Sequence, residues 1–172
     1  GTGETSGLDI LDGENVLVLT EVAGNALIGQ QNASVPRQLD AWRTSTGKVL
    51  LAGLEDDEVA ERFARDVEAY NSSPAVRFPG LLEELEAVRR DGYASAIDEL
   101  STGATAVAAP VVVGGKTAAA VWIGGPSFRL DTERILEVAP AVQNAARAVA
   151  DMLTMSGGSI GAPAMSGPRG EQ

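Results

Sequence analysis

No cysteine and no histidine occur in the 172 residues. The first absence removes disulfides, thiolate nucleophiles and thiol metal sites. The second removes the commonest general base and the commonest ligand of transition metals. A chain without cysteine suits the reducing cytoplasm. Aromatic residues make up only 4%, so a core has to be assembled from Ala, Val, Leu and Ile. Cations are scarce: 13 Lys and Arg against 24 Asp and Glu give a formal charge of −11. A surface that acidic repels nucleic-acid phosphates, and no cluster of Lys or Arg forms a local exception. The longest apolar run, "AVAAPVVVGG", is too short to cross a bilayer, and no charged-then-apolar leader opens the chain. The expectation is a soluble, cytoplasmic domain with no cofactor, no metal and no membrane partner.

What is present suffices for one compact domain, with 44% hydrophobic residues. Asp12-Gly13 between two apolar runs predicts a hairpin with strands Leu8–Leu11 and Val16–Val22. "NALIG" reads as a short third strand and "QQNASVPRQ" as a loop. Asp40 is a candidate helix cap, with Leu50, Leu51 and Leu54 on the apolar face behind it. "EDDEVAERFARDVEAY" predicts an amphipathic helix with an acidic first turn and Val59, Phe63 and Val67 at steps of four. "NSSPAVRFPG" reads as a linker. "LLEELEAVRRDG" predicts a helix with Leu81, Leu82, Leu85 and Val88 inside and Gly92 as its stop. "YASAI" is a strand. "TAVAAPVVVGGKTAAAVWIGG" gives two more strands around Gly114-Gly115, with Pro110 at a bulge or edge position. A last helix, "DTERILEVAPAVQNAARAVADML", carries the stripe Ile135, Val138, Val142, Ala145, Val149 and Leu153 and should bend at Pro140. Residues 155–172, rich in Gly, Ser and Pro, read as a flexible tail after a domain over 1–154. Two hairpins imply antiparallel pairing, so the class is α+β.

Ser45-Thr46-Gly47-Lys48 looks chemical in two ways. A phosphate-binding loop requires Gly five residues before the Gly-Lys pair and Ser or Thr after it; here those positions are Trp42 and Val49. A Ser-x-x-Lys nucleophile would set Ser45 one helical turn from Lys48, and Lys116-Thr117-Ala118 resembles the K-T-G strand of penicillin-recognising enzymes. No S-D-N element lies between them, and the third position is Ala118 rather than Gly. The acidic run Glu55–Glu58 suits a solvated helix start better than a metal site. Asp98-Glu99, after a strand, suits capping of the next turn. These motifs leave no candidate catalytic residue and no candidate metal ligand.

Taken in order, "GENVLVL", "TSTGKVLLAGL", "LEELEAVRRDGYA", "DELSTGATAVAAPVVV" and "AAAVWIGGP" resemble the C-terminal effector-binding domain of IclR-type transcriptional regulators, over residues 4 to 153. The resemblance implies a GAF-like fold, with a curved antiparallel sheet flanked by helices and a small organic acid held against its concave side. It implies a homodimer or homotetramer, and DNA binding only through a separate N-terminal winged helix-turn-helix domain, so that this chain is an excised regulatory domain. Mapped onto this sequence, the family's pocket falls on Thr44, Ser45 and Thr46 at a helix start, where backbone amides favour an anion, with Gly47 serving close packing. Leu39 is an apolar neighbour. On the sheet the pocket falls on Ala96, Ala106, Trp122 and Gly124, where the family's polar partners are replaced by apolar or absent side chains. Either the effector is more apolar, an aromatic acid stacking on Trp122, or Trp122 fills the site and the domain serves only oligomerisation. Trp42 is a candidate for the same mouth. An acyl-transferase reading would rest on Ser45 and Lys48.

Overall fold

The computed structural model describes residues 2–25, 34–69 and 74–157, with backbone alone at 64–69 and 74–79. In chain order the elements are β1 (Thr5–Asp12), β2 (Asn15–Val22), β3 (Arg37–Asp40), α1 (Ser45–Ala52), α2 (Asp56–Ala69), α3 (Pro74–Asp91), β4 (Ala94–Ile97), β5 (Ala104–Val113), β6 (Lys116–Pro126) and α4 (Thr132–Met155). A single 3₁₀ turn, Ala41–Arg43, joins β3 to α1. The six strands form one antiparallel sheet in the order β3-β2-β1-β6-β5-β4, curled into a half-barrel. The α+β class and the curved sheet flanked by helices are as the sequence implies.

Both predicted hairpins form. Gly13, Gly114 and Gly115 take positive φ in the turns, the backbone region that glycine enters at least cost. Pro110 lies where β5 is locally an edge, because β4 pairs only as far as Ala108. The irregularity comes one residue later, between Val111 and Val112. A second register shift, between Leu8 and Asp9, leaves Leu19 of β2 as an extra residue.

The two faces of the sheet carry separate cores. One packs α4 through Ile135, Val138, Ala139, Val142 and Ala146 onto Ile10, Val107, Ala109, Val111, Ala119 and Ile123. The other packs α1, α2 and α3 through Val49, Leu50, Leu51, Val59, Phe63, Leu85 and Val88 onto Val16, Ala94, Ala108 and Ala120. Arg89 of α3 donates to the carbonyls of Ala52 and Leu54, satisfying acceptors left open at the end of α1.

Several expectations need correction. Arg37 and Gln38, expected in a loop, belong to β3, whose residues pair with Asn15–Val18. Asp40 ends that strand and makes no side-chain cap; the cap of α1 is Thr44, whose Oγ1 accepts from the Gly47 amide at 3.0 Å. The expected linker 71–80 is helical from Pro74, which sits at the first helical position, where a missing N–H costs nothing. In α4 the stripe includes Ala146 and leaves Ala145 exposed. Pro140 lies inside that helix, where the sequence placed it. The short strand expected at 25–29 and the tail expected at 155–172 lie largely outside the described residues.

Candidate functional site

Three successive rungs of paired residues build the α1-facing floor. The first runs Ala96, Ala106, Gly124, Thr5 across β4, β5, β6 and β1. The second runs Ala94, Ala108, Trp122, Gly7, Glu21 and reaches β2. The third runs Ala120, Asp9, Val18, Arg37 and reaches β3. Paired residues share a face. The first rung is therefore nearly bare of side chains, the second carries one large ring, and the third carries opposite charges two strands apart.

Above this floor, the start of α1 and the segment 100–103 close a cavity of about 240 Å³. All eight residues expected from the sequence, Leu39, Thr44, Ser45, Thr46, Ala96, Ala106, Trp122 and Gly124, lie on its wall. Trp42 does not; its ring packs toward the α1-side core with the Arg43 guanidinium 5.5 Å from its centroid. Gly47 has a steric reason: a Cβ there would overlap the Ala41 carbonyl, so only Gly lets α1 start against the 3₁₀ turn.

Trp122 does not fill the space. A Cβ at Gly7 would stand 2.7 Å from its Cε2 and Nε1, and one at Gly124 3.0 Å from its Cζ3. The indole thus lies across two glycine-bared places on the sheet. Its Nε1 donates to Asp9 Oδ1 at 2.8 Å, which meets the need of a half-buried N–H.

Sequence reasoning missed the charged members of the wall, Asp9, Glu21, Arg37 and Arg43. Asp9 is 2% exposed. Burial pushes its carboxyl up from 3.8 to about 6, against the hydrogen bonds of Thr46 and Trp122 and the charge of Arg37, all of which pull it down. Arg37 Nη2 donates to Glu21 Oε2 at 2.5 Å. Glu21 reaches this face because Leu19 is bulged: strict alternation from Leu17 would turn Glu21 toward α4.

Arg43 and Lys48 fasten the segment that covers the cavity. Arg43 donates from Nε and Nη2 to the Glu99 carbonyl at 2.9 and 2.7 Å. Lys48, 4% exposed, lies 2.7 Å from both Glu99 carboxylate oxygens and 2.7 Å from Glu84 Oε2 on α3. Its ammonium is committed to these carboxylates, and among the described residues it makes no hydrogen bond to Ser45. Asp98, at φ 58°, accepts from the Gly103 amide at 2.7 Å and from Ser127 Oγ at 2.8 Å, as a turn cap does. Among the described residues no group of three or more Asp or Glu is placed to hold a metal, and no helix is long and apolar enough to cross a membrane.

Comparison with known proteins gives one answer. Residues 1–151 match the family described as bacterial transcriptional regulator IclR, C-terminal. The HTH-type transcriptional regulator BhcR of Paracoccus denitrificans is 31% identical over 150 residues, 85% of this chain and 53% of that protein. The HTH-type transcriptional repressor AllR of Escherichia coli is 25% identical over 88% of this chain and 56% of its own length. The chain thus spans about half the length of these curated relatives. Among solved structures, a regulator from Rhodococcus sp. RHA1 superposes with a TM-score of 0.76 at 30% identity, over 88% of this chain and 62% of that one. The Thermotoga maritima IclR superposes with a TM-score of 0.75 at 26% identity, over 89% and 62%.

Proposed function

The chain belongs to the IclR family of bacterial transcriptional regulators, as their C-terminal domain, and from that premise we propose that its cavity is the sensor site of such a regulator. The effector is a small organic acid with an apolar, planar body. It lies on Trp122 and turns its carboxylate toward the start of α1. There the Gly47 and Lys48 amides are already bonded to Thr44, which leaves the amides of Ser45 and Thr46 to meet an anion. Binding shifts the balance between two arrangements of a dimer or tetramer, and with it the DNA affinity of a helix-turn-helix domain outside this chain. The domain extends to about the end of α4 and acts in the cytoplasm, where operators are.

The single observation that carries this reading is the open cavity of about 240 Å³ with the eight expected residues on its wall. An engineered apolar cavity of about 150 Å³ already takes benzene, so the volume suits one ring with a short acid. Trp122 lying on Gly7 rather than across the opening favours a sensor over a purely structural oligomerisation module.

A thermal-shift screen of aromatic and aliphatic acids tests it. A specific acid should raise the melting temperature of the parent and leave Ala106→Leu unmoved, because the added side chain enters the cavity. An acid that stabilises both equally binds elsewhere and counts against the assignment.

A further inference from the structure

Asp9 is buried at the floor of the cavity without a cation of its own. Arg37 is committed to Glu21, Arg43 to the carbonyls of Glu99 and Leu100, and Lys48 to Glu84 and Glu99. Among the described residues no ion pair reaches Asp9. Hydrogen bonds are what its charge has, and burial disfavours that charge. Its side-chain partners are Trp122 of β6, through Nε1 at 2.8 Å from Oδ1, and Thr46 of α1. They differ in kind. An indole N–H only donates, whereas a hydroxyl donates or accepts. Trp122 therefore holds Oδ1 in either state of the carboxyl. Thr46 can donate to the ionised group and turn to accept from the protonated one.

Glu21, the other carboxylate on this wall, is placed differently. The Arg37 guanidinium stands 2.5 Å from its Oε2, so its charge is met directly. Thr46 also carries one of the two α1 amides left open toward the cavity. A negative charge seated there stands one residue's reach from the Asp9 carboxyl. Its field disfavours the ionised form of Asp9, and the water it displaces withdraws solvation from the same group. Both effects act in one direction, toward a proton on Asp9. The starting point is already close: burial pushes that carboxyl up from 3.8 to about 6. The charges acting on it are Arg37, which pulls it down, and Glu21, which pushes it up.

We propose that the cavity is proton-coupled: an anion that enters it draws a proton from solvent onto Asp9 Oδ2, so that the occupied site gains little net charge. The proposal rests on the sensor reading and concerns how that site is regulated, not which ligand it takes. The proton passes from water to the carboxylate, and no bond of the ligand changes. Affinity for an anion then rises as pH falls through the neutral range, by linkage. The domain answers to acidity as well as to ligand concentration.

The probe is phenylacetate, titrated calorimetrically at pH 7 into the 172-residue chain in buffers of differing ionisation enthalpy. If another acid of the thermal-shift screen binds more tightly, it takes the place of phenylacetate. The slope of observed heat against buffer enthalpy counts the protons taken up. The parent should take up a clear fraction of one proton per anion bound. It should also bind about three- to tenfold tighter at pH 6.5 than at pH 8, the span that linkage gives for a carboxyl pushed up by a nearby like charge. Phenylacetate stays ionised across that range, as ordinary carboxylic acids do. Asp9→Asn should take up no proton and bind equally at both pH values. Circular dichroism confirms that the variant folds. If it does not, carbon NMR of the parent labelled with ¹³C-aspartate carries the test: one aspartate carboxyl should titrate at higher pH when phenylacetate saturates the site. No proton uptake by the parent, no aspartate that moves, or uptake that persists in Asp9→Asn overturns this proposal and leaves acid sensing intact. Binding of none of the acids overturns both.

Discussion

The two faces of the sheet are made by alternate residues of the same strands, yet they differ in kind. Toward α4 the side chains are aliphatic and interlocked, with Ile10, Val107, Val111 and Ile123 against Ile135, Val138 and Val142. Toward α1 the strands offer Ala, Gly and one indole, and nearly every buried polar residue lies there: Thr5, Asp9, Thr44, Ser45, Thr46 and Lys48. The α4 face buries apolar area at roughly 25 cal/mol per Å². The α1 face forgoes some of that area and holds a charge that its surroundings disfavour. One side supplies stability, and the other spends some of it on the candidate site.

Three substitutions put that division to the test. Ile135→Ala, on the α4 side, should cost about 3 kcal/mol in urea denaturation, the usual size for a fully buried Ile, and leave the response to acids in place. A cost below about 1 kcal/mol would mean that the α4 face is not the main support.

Asp9→Asn should do the opposite. The folded state holds the Asp9 proton more tightly than the unfolded chain does, so the protonated form supports the fold below about pH 4, and that support is lost as pH rises to about 6. Arg37 and Glu21 are the charges acting on it. At pH 7 the variant should therefore be about 2 kcal/mol more stable than the parent. Asn keeps an acceptor for Trp122, and the difference should close as pH falls from 6 to 4. A variant less stable than the parent at pH 7 would show that the Asp9 charge supports the fold.

Lys48→Met should cost the least, about 1 kcal/mol, because Glu84 and Glu99 are half-exposed and regain water. Its larger effect should appear as faster hydrogen exchange at residues 98–103, the segment that Lys48 and Arg43 fasten over the cavity. Unchanged exchange there would mean that Arg43 and the bonds of Asp98 hold the segment without Lys48.

The elements were legible wherever a turn signal or a helical stripe was strong. Asp12-Gly13, Gly114-Gly115 and the stripe of α4 gave the hairpins and the long helix. β3 was not, because Arg37-Gln38-Leu39-Asp40 carries no alternation of its own and forms only by pairing with β2. The apolar and small members of the site came from the resemblance to a family. Its charged members came from neither source. Asp9 alternates with Leu8 and Ile10 as a solvent-facing residue would, and a sequence does not say which face of a strand is later covered by a helix. Glu21 was concealed by the bulge at Leu19, which reverses the parity of everything after it.

The contact between Trp122 and Asp9 has a further use. Only two tryptophans occur in the chain, and this one has its indole N–H on a carboxylate that burial pushes up to about 6, at the floor of the cavity. With Trp42 replaced by Phe, all indole emission would come from that floor. The cavity then carries its own optical reporter: ionisation of Asp9 and the arrival of the proposed acid would each alter the light from a single fluorophore, with no label attached.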